Sequence, residues 1–161
     1  MRSTEDAAGF VEDVGFALLF PTDRPTAPSL WEAVAGPDAT PFPHGMGTGE
    51  SMVWALKDLL PEAVLAWYGR FVRRRASLLS PALLAALYPG RGAPEDHRAA
   101  VLPPEAHRIG DALAAGPLPS SALRALVGHR GGYDRAINQL HEQLLVTSAG
   151  SGSRAAAGPP W

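Results

Sequence analysis

Cysteine is absent from the 161 residues, which excludes disulfides, thiolate metal sites and cysteine nucleophiles. Lysine is nearly absent: Lys57 stands alone beside 13 arginines. No apolar run approaches the ~18–20 residues of a membrane span, so no membrane partner is expected. The opening Met1-Arg2-Ser3-Thr4-Glu5-Asp6 is not a signal peptide, and a cytoplasmic location is expected. The five histidines (His44, His97, His107, His129, His141) fall in no paired ligand spacing, so no metal is expected. No serine stands in a Gly-x-Ser-x-Gly setting. Gly45, Gly47 and Gly49 lack the strand-to-helix frame of a nucleotide fingerprint, and no cofactor is expected. No repeat of fixed period is visible.

Hydrophobic residues make up 46% and charged residues 19%, a folded rather than a disordered composition. Abundant Ala, Arg, Gly and Pro reads as GC-biased coding, which weakens any argument from an arginine cluster. The net charge of −2 hides an asymmetry. Residues 1–62 carry ten acidic against three basic side chains, and residues 63–161 six acidic against eleven basic. Such polarity suits an anionic partner for the second half, or one half facing the other.

The fold class expected is mainly α. A helical N-terminal region spans 1–88, a linker 89–103, a helix-turn-helix module with an incomplete wing 104–147, and a disordered tail 148–161. Ser3 or Thr4 caps the first helix. Phe16 to Phe20 is either its buried end or a short extended piece. Ser29-Leu30-Trp31-Glu32 fits a capping box before a short helix stopped by Gly36-Pro37. Residues 37–50 read as a long mobile loop. Pro61 suits the first turn of a helix running to about Arg75, with Val64, Leu65, Tyr68, Phe71 and Val72 as its buried stripe. Ser80-Pro81 opens another short helix, and 89–103 reads as weakly structured.

Three helices then follow, Pro104–Ala115, Ser121–Val127 and Tyr133–Leu145, with His129-Arg130-Gly131-Gly132 linking the last two. Pro117-Leu118 suits a short strand, and Val146-Thr147 the start of a wing. This layout matches helix-turn-helix domains, whose last helix enters the major groove. Tyr133, Ile137, Leu140 and Leu144 form a core stripe on that helix. Arg135, Asn138 and Gln139, on another face with Glu142, are side-chain types that read base edges. Arg124 and Arg130 extend this set. Arg70, Arg73 and Arg74 (with Arg75) form the dense basic patch, suited either to phosphates or to complementing a helix dipole. Segment 104–147 holds four acidic and four basic residues, less basic than a committed DNA binder, so packing or dimerisation stays open. Trp31, Trp54, Trp67 and Tyr68 read as packing residues rather than a base-stacking platform.

Phe10-Val11-Glu12-Asp13-Val14-Gly15-Phe16 through Leu19-Phe20-Pro21, and Pro28-Ser29-Leu30-Trp31-Glu32, resemble the opening of bacterial AlkZ-related (YcaQ-like) winged-helix proteins. Trp54-Ala55-Leu56-Lys57-Asp58 with Tyr68-Gly69 resembles their next block. Gly116-Pro117-Leu118-Pro119-Ser120 and Tyr133-Asp134-Arg135-Ala136 to Leu144-Leu145-Val146 are similar to their winged-helix portion. The resemblance covers most of 8–147. It implies a winged-helix DNA-binding architecture and a distant tie to glycosylases that unhook alkylated or crosslinked bases. Those enzymes share a Gln-x-Gln or Gln-x-Asp motif. Gln139 and Gln143 are the only glutamines here, and neither forms that motif, so no catalytic residue is carried over. Relatives continue past Val146 through a wing, whereas this chain runs into Gly, Ser, Ala and Pro like a truncated end. The expected function is non-catalytic binding of double-stranded DNA, linked to repair or regulation. The alternatives are a protein-interaction domain forming homo-oligomers, and a glycosylase-like enzyme using an acidic or amide residue within 37–58.

Overall fold

The structure is a computed structural model that describes residues 3–23, 27–128, 130–149 and 154–157. The first helix, α1 (Thr4–Val14), is capped by Ser3, whose Oγ accepts the Asp6 N–H at 3.1 Å. Gly15 ends it at a φ of 72°, which glycine adopts without a Cβ clash. The apolar run that follows is extended, as β1 (Phe16–Leu18). Ser29 and Glu32 form the expected reciprocal cap of α2 (Leu30–Ala35), at 2.9 and 3.2 Å. The next helix, α3 (Thr48–Glu62), begins inside the stretch expected to be a mobile loop. The segment before it is tied down: buried Glu50 accepts the Phe42 N–H at 2.7 Å and the Gly47 N–H at 3.1 Å. The Trp31 indole adds a donor to the Ala39 carbonyl at 2.7 Å.

The helix expected from Pro61 to Arg75 does not form. Pro61 lies in the last turn of α3, and a hairpin follows, β2 (Trp67–Val72) and β3 (Arg75–Leu79). Of the expected buried stripe, Val64 and Val72 are about half exposed (53% and 49%) while Phe71 is buried. Strand β3 pairs antiparallel with both β1 and β2, giving the order β1-β3-β2. Both faces of this sheet are covered. Ala17 and Leu78 pack into a core with Val11, Leu30, Val53 and Leu60. Trp67, Phe71 and Leu79 point the other way and cluster with Leu84 of α4 (Pro81–Leu87), against half-buried Leu144. Strand β3 is buried on both faces from Ser77 to Leu79, so its two-residue period is hidden in the sequence, whereas β2 alternates, with Arg70 and Val72 exposed on either side of buried Phe71.

The supposed linker is partly ordered. Its 3-10 turn, Asp96–Ala99, buries His97, whose Nε2 lies 3.1 Å from Asp111 Oδ1 and whose Nδ1 lies 3.1 Å from the Pro94 carbonyl. Asp111 belongs to α5 (Pro104–Ala114). Gly110 on the same helix must lack a side chain, because a Cβ there would stand 2.4 Å from the His97 ring.

Beyond α5 come β4 (Leu118–Pro119), α6 (Ser120–Val127), α7 (Arg130–Glu142), β5 (Val146–Ser148) and β6 (Arg154–Ala157). Helix α7 starts at Arg130, so Gly131 and Gly132 lie in its first turn rather than in a four-residue link. The tail expected to be disordered from 148 supplies β6, which pairs antiparallel with β4 and β5. Ile109, Leu113, Leu123, Ile137, Leu140 and Val146 fill this second core.

The element order α1-β1-α2-α3-β2-β3 recurs as α5-β4-α6-α7-β5-β6. The sheet orders, β1-β3-β2 and β4-β6-β5, correspond as well. The repeat is one of connectivity, with no matching period in the sequence. The class is mainly α, but the N-terminal part expected to be helical carries a sheet of its own. Among the described residues no helix is long and apolar enough to cross a membrane.

Candidate nucleic-acid interface

Helix α7 buries Tyr133, Ile137 and Leu140 as its periodicity requires. Leu144 lies past the helix end, at a φ of 61°, and packs at the junction of the two units. The polar face of α7 was expected to look outward; instead β2 lies along part of it. Arg70 Nη1 reaches Asn138 Oδ1 at 3.5 Å, and the Thr147 hydroxyl donates to the Tyr68 carbonyl at 2.9 Å. The His141 ring stands edge-on to Phe71, centroids 5.9 Å apart. Its Nδ1 crowds Gly69, where a Cβ would approach within 2.4 Å. Asn138 is therefore only 7% exposed. Gln139 is half-buried, and its buried Oε1 has no hydrogen-bond partner among the described residues. Asn138 thus faces Arg70 rather than standing free on the helix surface. Arg135 is exposed.

The expected arginine-bearing helix is a hairpin, so its arginines do not complement a helix dipole. Arg73 and Arg74 form the two-residue turn between Val72 and Arg75, at φ 49° and 59°. Positive φ at both positions is the type I′ geometry that matches strand twist, and Asn-Gly is its usual sequence. Both arginines are exposed, and Arg74 Nε lies 3.9 Å from Glu142 Oε1. Arg70 and Arg74 thus reach α7 at Asn138 and Glu142, one turn apart. Arg135 precedes Asn138 by three residues, on the same helix face. The β2–β3 register shifts between Gly69 and Val72, an irregularity of the kind that re-aims side chains beside sites.

A cavity of about 220 Å³ opens where the two units meet. Its lining includes Lys57 of α3, Tyr68 and Arg70 of β2, Arg124 of α6, and Tyr133 and Asp134 of α7. The Arg124 guanidinium lies over the Tyr133 ring at 4.8 Å. Lys57 pairs with Asp58 and stands 5.0 Å from the Tyr68 ring centre. Burial raises the Tyr68 hydroxyl pKa, against the pull of Arg70. Burial, and then the positive charge of Arg70, brings His141 down to about 4, so its ring is neutral at pH 7.

Of the residues nominated from sequence, Arg70 and Arg124 meet at this cavity, while Arg74 and Arg70 approach the face of α7 that bears Arg135. Arg73 stays at the hairpin turn, and the side chain of Arg130 lies outside the described residues. Sequence reasoning missed Lys57, Tyr68 and His141; the one lysine in an arginine-rich chain was the available signal. Trp31 and Trp67 are buried in packing roles, whereas Trp54 is 36% exposed beside Phe20, centroids 5.9 Å apart. Both carboxylate oxygens of Glu50 are engaged by backbone N–H groups. Among the described residues no three His, Asp or Glu gather as a metal site.

A family model described as AlkZ related matches residues 1–158. No curated protein and no solved structure matches the chain.

Proposed function

The chain belongs to the AlkZ-related family, and from that premise we propose that it contacts duplex DNA through two winged-helix units, without a catalytic centre of its own. The reading is supported by the order that both halves share, helix-strand-helix-helix-strand-strand with the last strand central in the sheet, an order also expected of winged-helix domains. The observation that carries the proposal is the hairpin laid along α7. It sets Arg70 and Arg74 beside the helix face that bears Arg135, with Arg73 at the exposed turn. Exposed guanidiniums beside a buried Asn138 favour phosphate contact over base reading, so the binding is sequence-tolerant. The missing Gln-x-Gln or Gln-x-Asp motif, together with the structural engagement of Glu50, supports a non-catalytic role.

The test is gel retardation of unrelated 20-bp duplexes bearing 5′-hydroxyl ends. Retardation at low salt is expected with all of them. Each of Arg135→Ala and Arg130→Ala should weaken it, and Arg135→Ala should leave the thermal midpoint in place. Each lost phosphate contact flattens the log–log salt slope by about 0.9. Absence of retardation at low salt refutes the proposal, and release of an alkylated base from damaged duplex refutes its non-catalytic part.

A further inference from the structure

The cavity between the two units concentrates positive charge of which the DNA reading uses Arg70 alone, leaving Lys57 and Arg124 without a role. We propose that it binds a phosphate monoester group, held between Lys57, Arg70 and Arg124. These three cations come from three elements, α3, β2 and α6, and among the described lining residues only Asp134 opposes them. Asp58 pairs with Lys57 and offsets part of its charge, so a positive excess remains. A phosphate monoester carries ≈ −1.5 to −2 charges at pH 7, which suits that excess better than a single carboxylate does. Two guanidiniums offer planar donor forks for bidentate contact with phosphate oxygens. The volume, about 220 Å³, is below the ~300–1,000 Å³ of pockets for drug-sized ligands. It equals the liquid volume of roughly seven waters, room for a phosphate with a small body such as a pentose. The half-buried Tyr68 ring lines the same cavity and offers surface for that body. The ligand would touch both units and hold them in register.

A free sugar phosphate and the 5′-phosphate of a nucleic-acid strand share this chemistry, and calorimetric titration of the full chain separates them. Ribose 5-phosphate is expected to bind with a Kd on the order of 1 mM or tighter, and ribose not at all. A 5′-phosphorylated single-stranded oligonucleotide binding better than its 5′-hydroxyl counterpart, with ribose 5-phosphate silent, would keep the site and assign it to strand ends. Arg124→Gln and Lys57→Gln are each expected to weaken binding about tenfold, a change of roughly 1.4 kcal/mol. Arg108→Gln, on the exposed side of α5, should leave it unchanged. Thermal denaturation shows whether each variant folds, and the two cavity variants serve as each other's replacement. The proposal is overturned if neither phosphate-bearing probe binds at about 10 mM, or if Arg108→Gln weakens binding as much as the cavity variants. Retardation of a 5′-hydroxyl duplex reports the DNA reading alone, so the two proposals fail separately.

Discussion

Replacing Arg73-Arg74 by Asn-Gly should make the protein more stable and a weaker DNA binder at once. Both arginines are held at positive φ, 49° and 59°, where an L side chain meets the following carbonyl. Each such residue costs roughly 1–2 kcal/mol, and Asn-Gly relieves most of that cost. What is lost in exchange is small. The Arg74–Glu142 pair spans 3.9 Å with side chains 68% and 39% exposed, and pairs of this kind contribute about 0–1 kcal/mol. The net gain is about 1–3 kcal/mol, or roughly 2–12 °C in Tm for a chain of this size. Under the same substitution two guanidiniums leave the DNA-facing surface, and the log–log salt slope should flatten by about 1.8. Circular dichroism melts and gel retardation at two salt concentrations measure the two effects. A Tm that is unchanged or lower refutes the strain argument, and an unaltered salt slope removes the hairpin from the interface.

Protonation of His141 should govern acid sensitivity. Its folded pKa, about 4, is depressed below the ordinary 6.5 by burial and by Arg70. Between those values the unfolded chain takes up the proton that the folded ring refuses. Stability therefore falls as pH drops from 6.5 to about 4, by about 3 kcal/mol, and this contribution levels off below that. Urea titrations across this range should show a flatter pH dependence for His141→Leu; equal dependence in both proteins refutes the assignment. Gly110→Ala should destabilise by about 1–3 kcal/mol, because the new methyl collides with a His97 ring whose two nitrogens are both engaged. Adding His97→Ala should recover part of the loss in a double-mutant cycle, and strict additivity of the two costs would show that no collision occurs.

Helices α5, α6 and α7 were legible because each announces itself locally: Pro103-Pro104 at an entry, Ser120 beside another, Gly128 at a stop, and an apolar stripe along each. The Ser29–Glu32 cap was legible for the same reason. The β2–β3 hairpin was not. Its turn is Arg-Arg rather than a glycine signal, Trp67-Tyr68 and Leu78-Leu79 put apolar residues on both faces, and Pro61 mimics a helix start. Strand β6 was equally silent, since Ala155 to Ala157 join the sheet through backbone pairing that composition does not announce. At the candidate site, charge nominated Arg70 and Arg124, but their convergence needs the tertiary contact between units. The burial of Asn138 could not be read either, because a polar residue on a helix looks the same whether solvent or Arg70 faces it.

The sheet covered on both sides carries a consequence for dissection. Trp67, Phe71 and Leu79 form a party wall, since the Leu144 that leans on them belongs to the other half. A first half expressed alone, ending within 89–103, would lack Leu144 against that wall and leave Trp67 and Phe71 less covered on that side. The halves, alike in plan, are thereby committed to melting together.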